Sequence, residues 1–313
     1  MLNFCTLFDS NYLTRGLALY HSLRANCTSF RLYVYCFDDA AYEIMLKLAL
    51  PDLVPIPLAE FESQELLVVK PGRNRGEYCW TCTSHIILHT LEHFNLDCVT
   101  YLDADLFFFA DPAVLIDEFT QTGSSVLITE HRYTPRYNQS ASSGIYCVQF
   151  ISFKADERGL KVLGWWRDRC TEWCYNRHED GKFGDQKYLD DWTERFEGVH
   201  VLQHLGGGVA PWNVQQYKVQ EGPAVNGTAV VFYHFHDLSW YKDDSFMLNR
   251  YRLSGAVIKY IYRPYICALR NRLAEVQRLF PGFQKGKAPP PTRRKSLWSA
   301  IEHRLKGKFH VIR

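Results

Sequence analysis

Two aspartates separated by one residue, Asp103 and Asp105, close an apolar run, Cys98–Leu102. In an extended chain the side chains at i and i+2 point to the same side. Two like charges brought together at a strand end are costly unless a cation or hydrogen-bond donors compensate them. A hard divalent ion, Mg2+ or Mn2+, compensates well because it prefers oxygen ligands. Such an ion can clamp a diphosphate and neutralise charge on a leaving phosphate. The plain alternative is a pair of solvated loop acids. The apolar strand before the pair and Leu106-Phe107-Phe108-Phe109 after it argue for burial instead.

The elements that position such a pair follow from periodicity. Leu2–Phe8 reads as a buried strand ending in Asp9-Ser10-Asn11, and Tyr12–Arg24 as a helix with Leu13, Leu17, Tyr20 and Leu23 on one face. Arg31–Phe37 is a strand, Ala41–Leu50 a helix stopped by Pro51, and Val54–Leu58 a short strand. Glu77–Phe94 is a helix leading into the strand Cys98–Leu102. Strands at Ser125–Thr129, Val148–Phe153, Val199–Leu202 and Ala229–Phe235 and a helix at Arg158–Tyr175 complete the pattern. Alternating strands and helices imply right-handed βαβ units, an α/β class and a mainly parallel sheet. Ligands then bind at the carboxyl ends of the strands, where Asp9-Ser10-Asn11 and Asp103-Ala104-Asp105 both fall. Asp9 and Asn11 equally suit a helix N-cap, as does Asp185 before Gln186–Trp192.

The segment CVTYLDADLFFFADP, from Cys98 to Pro112, resembles the DxD segment of GT-A glycosyltransferases, in particular the retaining family 8 transferases and an allied bacterial group. Three further matches fall in order: Phe8-Asp9-Ser10-Asn11-Tyr12, Gly184-Asp185-Gln186-Lys187 and His234-Phe235-His236. The resemblance covers roughly residues 1–240. It implies a GT-A, Rossmann-like sheet flanked by helices, with a catalytic domain over 1–250 and a helical, basic extension over 251–313. It implies a nucleotide site formed by Thr6, Asp9, Asn11 and Tyr12 together with Asp103, Ala104 and Asp105. It implies a metal site of Asp103, Asp105 and His234, and places Asp185 and Gln186 against the transferred sugar. A lone His on an apolar strand is also an ordinary core residue, and two-residue alternation puts His236 on the same face as His234.

The activity implied is metal-dependent transfer of a hexose-type sugar, with retention, from a nucleotide-diphosphate donor to a glycan or lipid-linked acceptor in cell-surface polysaccharide or lipopolysaccharide synthesis. The rival readings are a nucleotide-sugar hydrolase or a nucleotidyltransferase on the same metal, or a non-catalytic membrane-associated protein with a degenerate transferase fold. There are departures from the family pattern. Its basic residue on the helix before the DxD has only His85, or Arg73 and Arg75 upstream, to match it, and its Asn-x-Gly strand is replaced by Cys147-Val148-Gln149. Gly206-Gly207-Gly208 reads as pocket lining, with Trp212, Asn213 and Trp240 as candidate sugar or acceptor contacts. It is no P-loop, since no Gly-Lys-Ser/Thr follows.

Of the 313 residues 47% are hydrophobic and 15% aromatic, enough for a large core. Net charge is only +2, which gives no support for nucleic-acid binding by the whole chain. The stretch Gln284–Arg313 is rich in Lys and Arg, with Glu302 its only acid. With Ile258–Leu279 and an amphipathic Ser296–Leu305 it could meet an anionic membrane, placing the enzyme in the cytoplasm or peripherally on the inner membrane face. Ala288-Pro289-Pro290-Pro291 marks a linker before it. Met1-Leu2-Asn3-Phe4 offers no basic or cleavable leader, so the ten cysteines read as reduced thiols and Asn26, Asn138 and Asn226 as unglycosylated. Cys79-Trp80-Thr81-Cys82 and Cys170…Cys174 read as helix thiols rather than a metal or redox site.

Overall fold

The run Leu2–Phe8 forms the inner strand β1 of a central sheet, in a computed structural model that describes residues 1–290 and the strand Val311–Ile312. After β1 come α1 (Leu13–Asn26), β2 (Phe30–Cys36), α2 (Asp39–Leu48) and β3 (Leu53–Pro57). β1, β2 and β3 pair in parallel, as two successive βαβ units require. The helix Arg75–His93 then carries the chain back to the other side of β1, where β4 (Cys98–Leu102) also pairs in parallel. β5 (Leu106–Phe108), β6 (Val126–Glu130), β7 (Tyr146–Lys154) and β8 (Val199–Val201) follow. The seven-stranded order is β3-β2-β1-β4-β7-β6-β8. Only β7 opposes its neighbours, so the sheet is mainly parallel, as expected. Between β6 and β7 lie only the short turns Pro135–Tyr137 and Ser140–Ser143 rather than a long crossover helix, and β7 returns antiparallel.

Alternation along β1 sets the two layers. Phe4 and Phe8 enter a core shared with α1 and the late helix Arg263–Leu279, while Cys5 and Leu7 enter one shared with Arg75–His93 and the helix Glu157–Glu172. The strand order reverses between β1 and β4, so their carboxyl ends open a crevice. Gly16 fixes the spacing of α1 from β1, since a Cβ there would lie 2.2 Å from Cε1 of Phe8. Gly16→Ala is expected to cost about 2–3 kcal/mol through overpacking, read as a lowered denaturation midpoint.

Several boundaries differ from expectation. The expected strand Ala229–Phe235 is broken into Thr228–Ala229 and Phe232–His234, because the amides of Val230 and Val231 turn to the carbonyls of Pro223 and Gly206. The expected helix Arg158–Tyr175 ends at Glu172, and Tyr12 is the cap rather than the first residue of α1.

The membrane expectation for Ile258–Leu279 needs correction. Tyr265, Ile266, Leu269, Leu273 and Val276 of the helix Arg263–Leu279 are buried in the same core as α1, so protein covers that apolar face. Among the described residues no helix is long and apolar enough to cross a membrane. The expected amphipathic segment Ser296–Leu305 and the basic residues around it lie outside the described residues. The described start of that stretch folds back onto the loop after β1. Lys285 Nζ donates to Ser10 Oγ at 2.8 Å, and Gly286, at φ +85°, passes so close to the Asn11 carbonyl that a Cβ would sit 2.6 Å from its oxygen.

Candidate active site

The crevice holds a cavity of about 690 Å³. Its floor is the DxD segment. Asp103 N–H donates to the Gln149 carbonyl on β7 at 2.9 Å, and Tyr101 donates its hydroxyl to Asp103 Oδ1 at 3.0 Å. The strand Phe232–His234 pairs antiparallel with β5, in a register that sets His234 opposite Leu106. The Phe235 amide donates to the Asp105 carbonyl at 3.0 Å, locking the two segments together. His234 Nε2 therefore lies 3.1 Å from Asp105 Oδ1 and 3.6 Å from Asp103 Oδ2.

Electrostatics favour positive charge at this trio. Burial pushes the Asp103 carboxyl up, the nearby Asp105 charge adds to the rise against the pull of His234, and it settles at about 6. At Asp105 burial acts the same way, but the charge and hydrogen bond of His234 outweigh it and hold the carboxyl at about 2. Burial opposes protonation of His234, yet Asp105 and then Asp103 raise its pKa well above the usual imidazole value. The two carboxylates thus draw positive charge to this position. One ligand atom from each of the three side chains lies within 4.8 Å of the others, and among the described residues no other group of three His, Cys, Asp or Glu is arranged to hold an ion. Two carboxylates and one imidazole suit Mn2+ or Mg2+. His236, expected to compete, sits beyond the strand end, solvent-exposed at the cavity wall, and its ring centroid is 5.9 Å from that of His234. The register argument fails there because the strand stops at His234.

At the β1 end, Asp9 does not cap α1 in the simple sense. Its Oδ1 accepts from the amides of Asn11 at 2.8 Å and Tyr12 at 3.0 Å, and its Oδ2 pairs with Arg75. Tyr12 lines the cavity, whereas Asn11 stays exposed beside it and donates to Asp9 at 3.4 Å. Thr6, expected at the nucleotide site, is fully buried within β1, lines no part of the cavity, and leaves its Oγ1 unpartnered. Ala104 is on the lining as expected. Among the described residues Arg75 is the one Lys or Arg on the lining; it also reaches Asp38 at 3.2 Å. His85 bonds to Thr171 at 2.8 Å, and Arg73 stacks on Tyr175 at 3.7 Å, both off the cavity.

Asp185 and Gln186 form the opposite wall. Asp185 makes no capping hydrogen bond from its side chain. The Trp166 indole donates to its carbonyl at 2.9 Å and fixes its backbone. Burial and the Asp103 charge push its carboxyl up to about 8. Gln186 Nε2 donates to the Ser143 carbonyl at 2.5 Å. Gly184, at φ +54°, packs on the Trp80 ring.

Other expectations are corrected. Asn213 is fully buried and donates to the carbonyls of His131 and Gly208, each at 2.8 Å. Trp240 stacks on Phe246 in the core, off this cavity. The glycines 206–208 serve close packing rather than the cavity; a Cβ on Gly206 would lie 2.0 Å from the Ala229 carbonyl oxygen. Trp212 does line the cavity, with its indole donating to the His131 carbonyl. Missed by sequence reasoning were Trp80, Tyr133, Gln139, Phe183 and Tyr251 on the lining. They come from a helix face and irregular segments with no shared spacing. Cys79, Cys82 and Cys170 are helix thiols as expected, Cys174 falls past the end of the helix Glu157–Glu172, and burial raises Cys82 and Cys170 well above the usual thiol range.

No family model matches the chain. It is 32% identical over 296 residues to YfnD of Bacillus subtilis strain 168, covering 92% of this chain and 94% of that protein. It is 34% identical over 245 residues to YfnF of the same organism, covering 74% and 80%. Both are uncharacterized proteins. Among solved structures, the galactosyltransferase LgtC with donor and acceptor sugar analogs superposes with a TM-score of 0.55 at 13% identity, covering 86% of this chain and 96% of that one. The chain thus has the fold of GT-A glycosyltransferases, and it belongs to the family of YfnD and YfnF.

Proposed function

We propose that this protein is a metal-dependent glycosyltransferase that moves a hexose-type sugar, with retention, from a nucleotide-diphosphate donor to an uncharged glycan acceptor, in cell-surface polysaccharide synthesis. The observation that carries the reading is the convergence of Asp103, Asp105 and His234 at the floor of a crevice large enough for a nucleotide sugar. The shared fold with LgtC supports it. Asp103, Asp105 and His234 would hold Mn2+ or Mg2+, which when bound supplies positive charge to neutralise the departing diphosphate. Asp9 and Tyr12, with Asn11 behind them, bind and stack the nucleoside at the β1 end.

Retention is supported by what the lining carboxyls can do. An inverting route needs an ionised carboxylate base facing the acceptor hydroxyl. Asp9 is paired with Arg75, Asp103 and Asp105 belong to the cation site, and Asp185 keeps its proton at neutral pH. Asp185 and Gln186 then orient the sugar by hydrogen bonding while the acceptor attacks from the leaving-group side. The acceptor class follows from the far wall. His131, Tyr133, Gln139, Ser143, Trp212 and Tyr251 bring rings and amide groups but no Lys, Arg, Asp or Glu. That wall fits a sugar face rather than a phosphate.

The decisive test is a screen of nucleotide sugars for Mn2+-dependent thermal stabilisation, followed by NMR of the product anomer. No stabilisation by any donor would reject the proposal. Tyr133→Ala and Tyr251→Ala are each expected to raise the acceptor KM about tenfold with the donor KM unchanged, measured by varying one substrate at a time. A rise in donor KM instead would show that this wall holds the nucleotide.

A further inference from the structure

Arg15, on the first turn of α1, is 6% exposed, yet no carboxylate lies within ion-pair distance of it among the described residues. Burying a guanidinium without an ionic partner is costly, so other groups have to compensate it. Two do so by contact. Its Nη2 donates to the Leu238 carbonyl at 3.0 Å, on the segment just after His234, and its Cζ lies 4.7 Å from the centroid of the Tyr12 ring. That segment is itself tied to the DxD, since the Phe235 amide donates to the Asp105 carbonyl at 3.0 Å. Tyr265, whose buried hydroxyl has no partner, lies in the field of both Arg15 and Asp105 and stacks on Phe235 at 3.7 Å. One cation therefore joins the nucleoside-stacking ring, the segment after the metal-site histidine, and the surroundings of the DxD.

We infer that Arg15 is a positioning residue of the donor site: its guanidinium fixes the Tyr12 ring and the Leu238 turn beside Asp105, without lining the cavity itself. The planar group is suited to this because one face can meet an aromatic ring while its edge donates to a carbonyl. A lysine would keep the charge and lose that geometry. The inference rests on the proposed donor site, and it carries a signed consequence. A fixed cation on the segment bonded to the DxD opposes the entry of a divalent cation alone, while ordering Tyr12 favours a nucleotide.

The test uses the full chain, with Mn2+ alone and then with whichever of UDP, GDP, CDP, ADP and dTDP stabilises the wild type most in its presence. For Arg15→Met, calorimetry is expected to show Mn2+ alone bound at least as tightly as by the wild type. The nucleoside diphosphate with Mn2+ is expected to bind about tenfold more weakly. A cycle with Tyr12→Leu should be non-additive, the second substitution costing less once the first is made. Parallel loss of both affinities would mean a packing defect and overturn the inference, as would unchanged nucleotide binding. If Arg15→Met does not fold, Arg15→Lys decides. Unchanged Mn2+ binding with nucleotide binding weakened several-fold supports the inference, and wild-type nucleotide binding overturns it. A wild type that binds neither Mn2+ nor any nucleoside diphosphate removes the functional proposal and this inference together, an outcome distinct from a failure confined to the Arg15 variants.

Discussion

Asp103→Asn and Asp105→Asn are each expected to reduce transfer at least about a thousandfold, the loss that follows from on the order of 4 kcal/mol of charge stabilisation at the leaving phosphate. Asparagine keeps the shape of the side chain, but its neutral amide oxygen is a poor ligand for a hard cation. Binding of Mn2+, followed by calorimetry or electron paramagnetic resonance, should be lost with the activity. The two variants should differ in stability. Burial and the Asp105 charge push Asp103 up to about 6, so removing its charge relieves the metal-free protein, and Asp103→Asn should melt at or above the wild type at pH 7. His234 holds Asp105 down at about 2, so its carboxylate stabilises the native state above the unfolded value and only loses that effect in strong acid. Asp105→Asn discards the partner of His234 and should melt lower. Wild-type activity in either variant, or full wild-type activity in EDTA, would reject the metal role.

How much of this could be read from residues alone depends on whether the signal was local. Asp103 and Asp105 were legible because an apolar strand and a two-residue spacing define where both side chains go. The crevice was legible because βαβ alternation fixes the parallel strands and their carboxyl ends. The choice between His234 and His236 was not, since it turns on where a three-residue strand stops, and past His234 the chain turns, with the Phe235 amide going to the Asp105 carbonyl and the Leu238 amide to the Phe235 carbonyl. Glycines 206–208, Asn213 and Trp240 looked like site residues by type, but each is spent on packing or backbone hydrogen bonds. Conversely, Tyr133 and Tyr251 reach the cavity from segments distant in sequence, with no period to connect them. Arg75 was one of three basic side chains in that region, and only the third dimension separates it from His85 and Arg73.

Asp185→Asn is expected to stabilise the metal-free protein at pH 8 while reducing transfer at least about a hundredfold. The carboxyl is 5% exposed, and burial together with the Asp103 charge raises it from an ordinary 3.8 to about 8. Between those values the native state holds a proton that the unfolded chain has released, so raising the pH removes stability. Metal-free wild type should therefore lose on the order of 3 kcal/mol between pH 5 and pH 8 from this group, whereas the amide cannot ionise and should flatten that slope. Denaturation midpoints at both pH values read the difference directly. The amide offers N–H donors where the protonated carboxyl offers one O–H, so the hydrogen bond proposed to orient the sugar would be lost and transfer should fall even as stability rises. That opposite movement distinguishes a group kept for function from one kept for folding, since a structural carboxyl would lose both on replacement. A fully active Asp185→Asn would remove the residue from the reaction, and one that unfolds more easily at pH 8 would overturn the argument from burial.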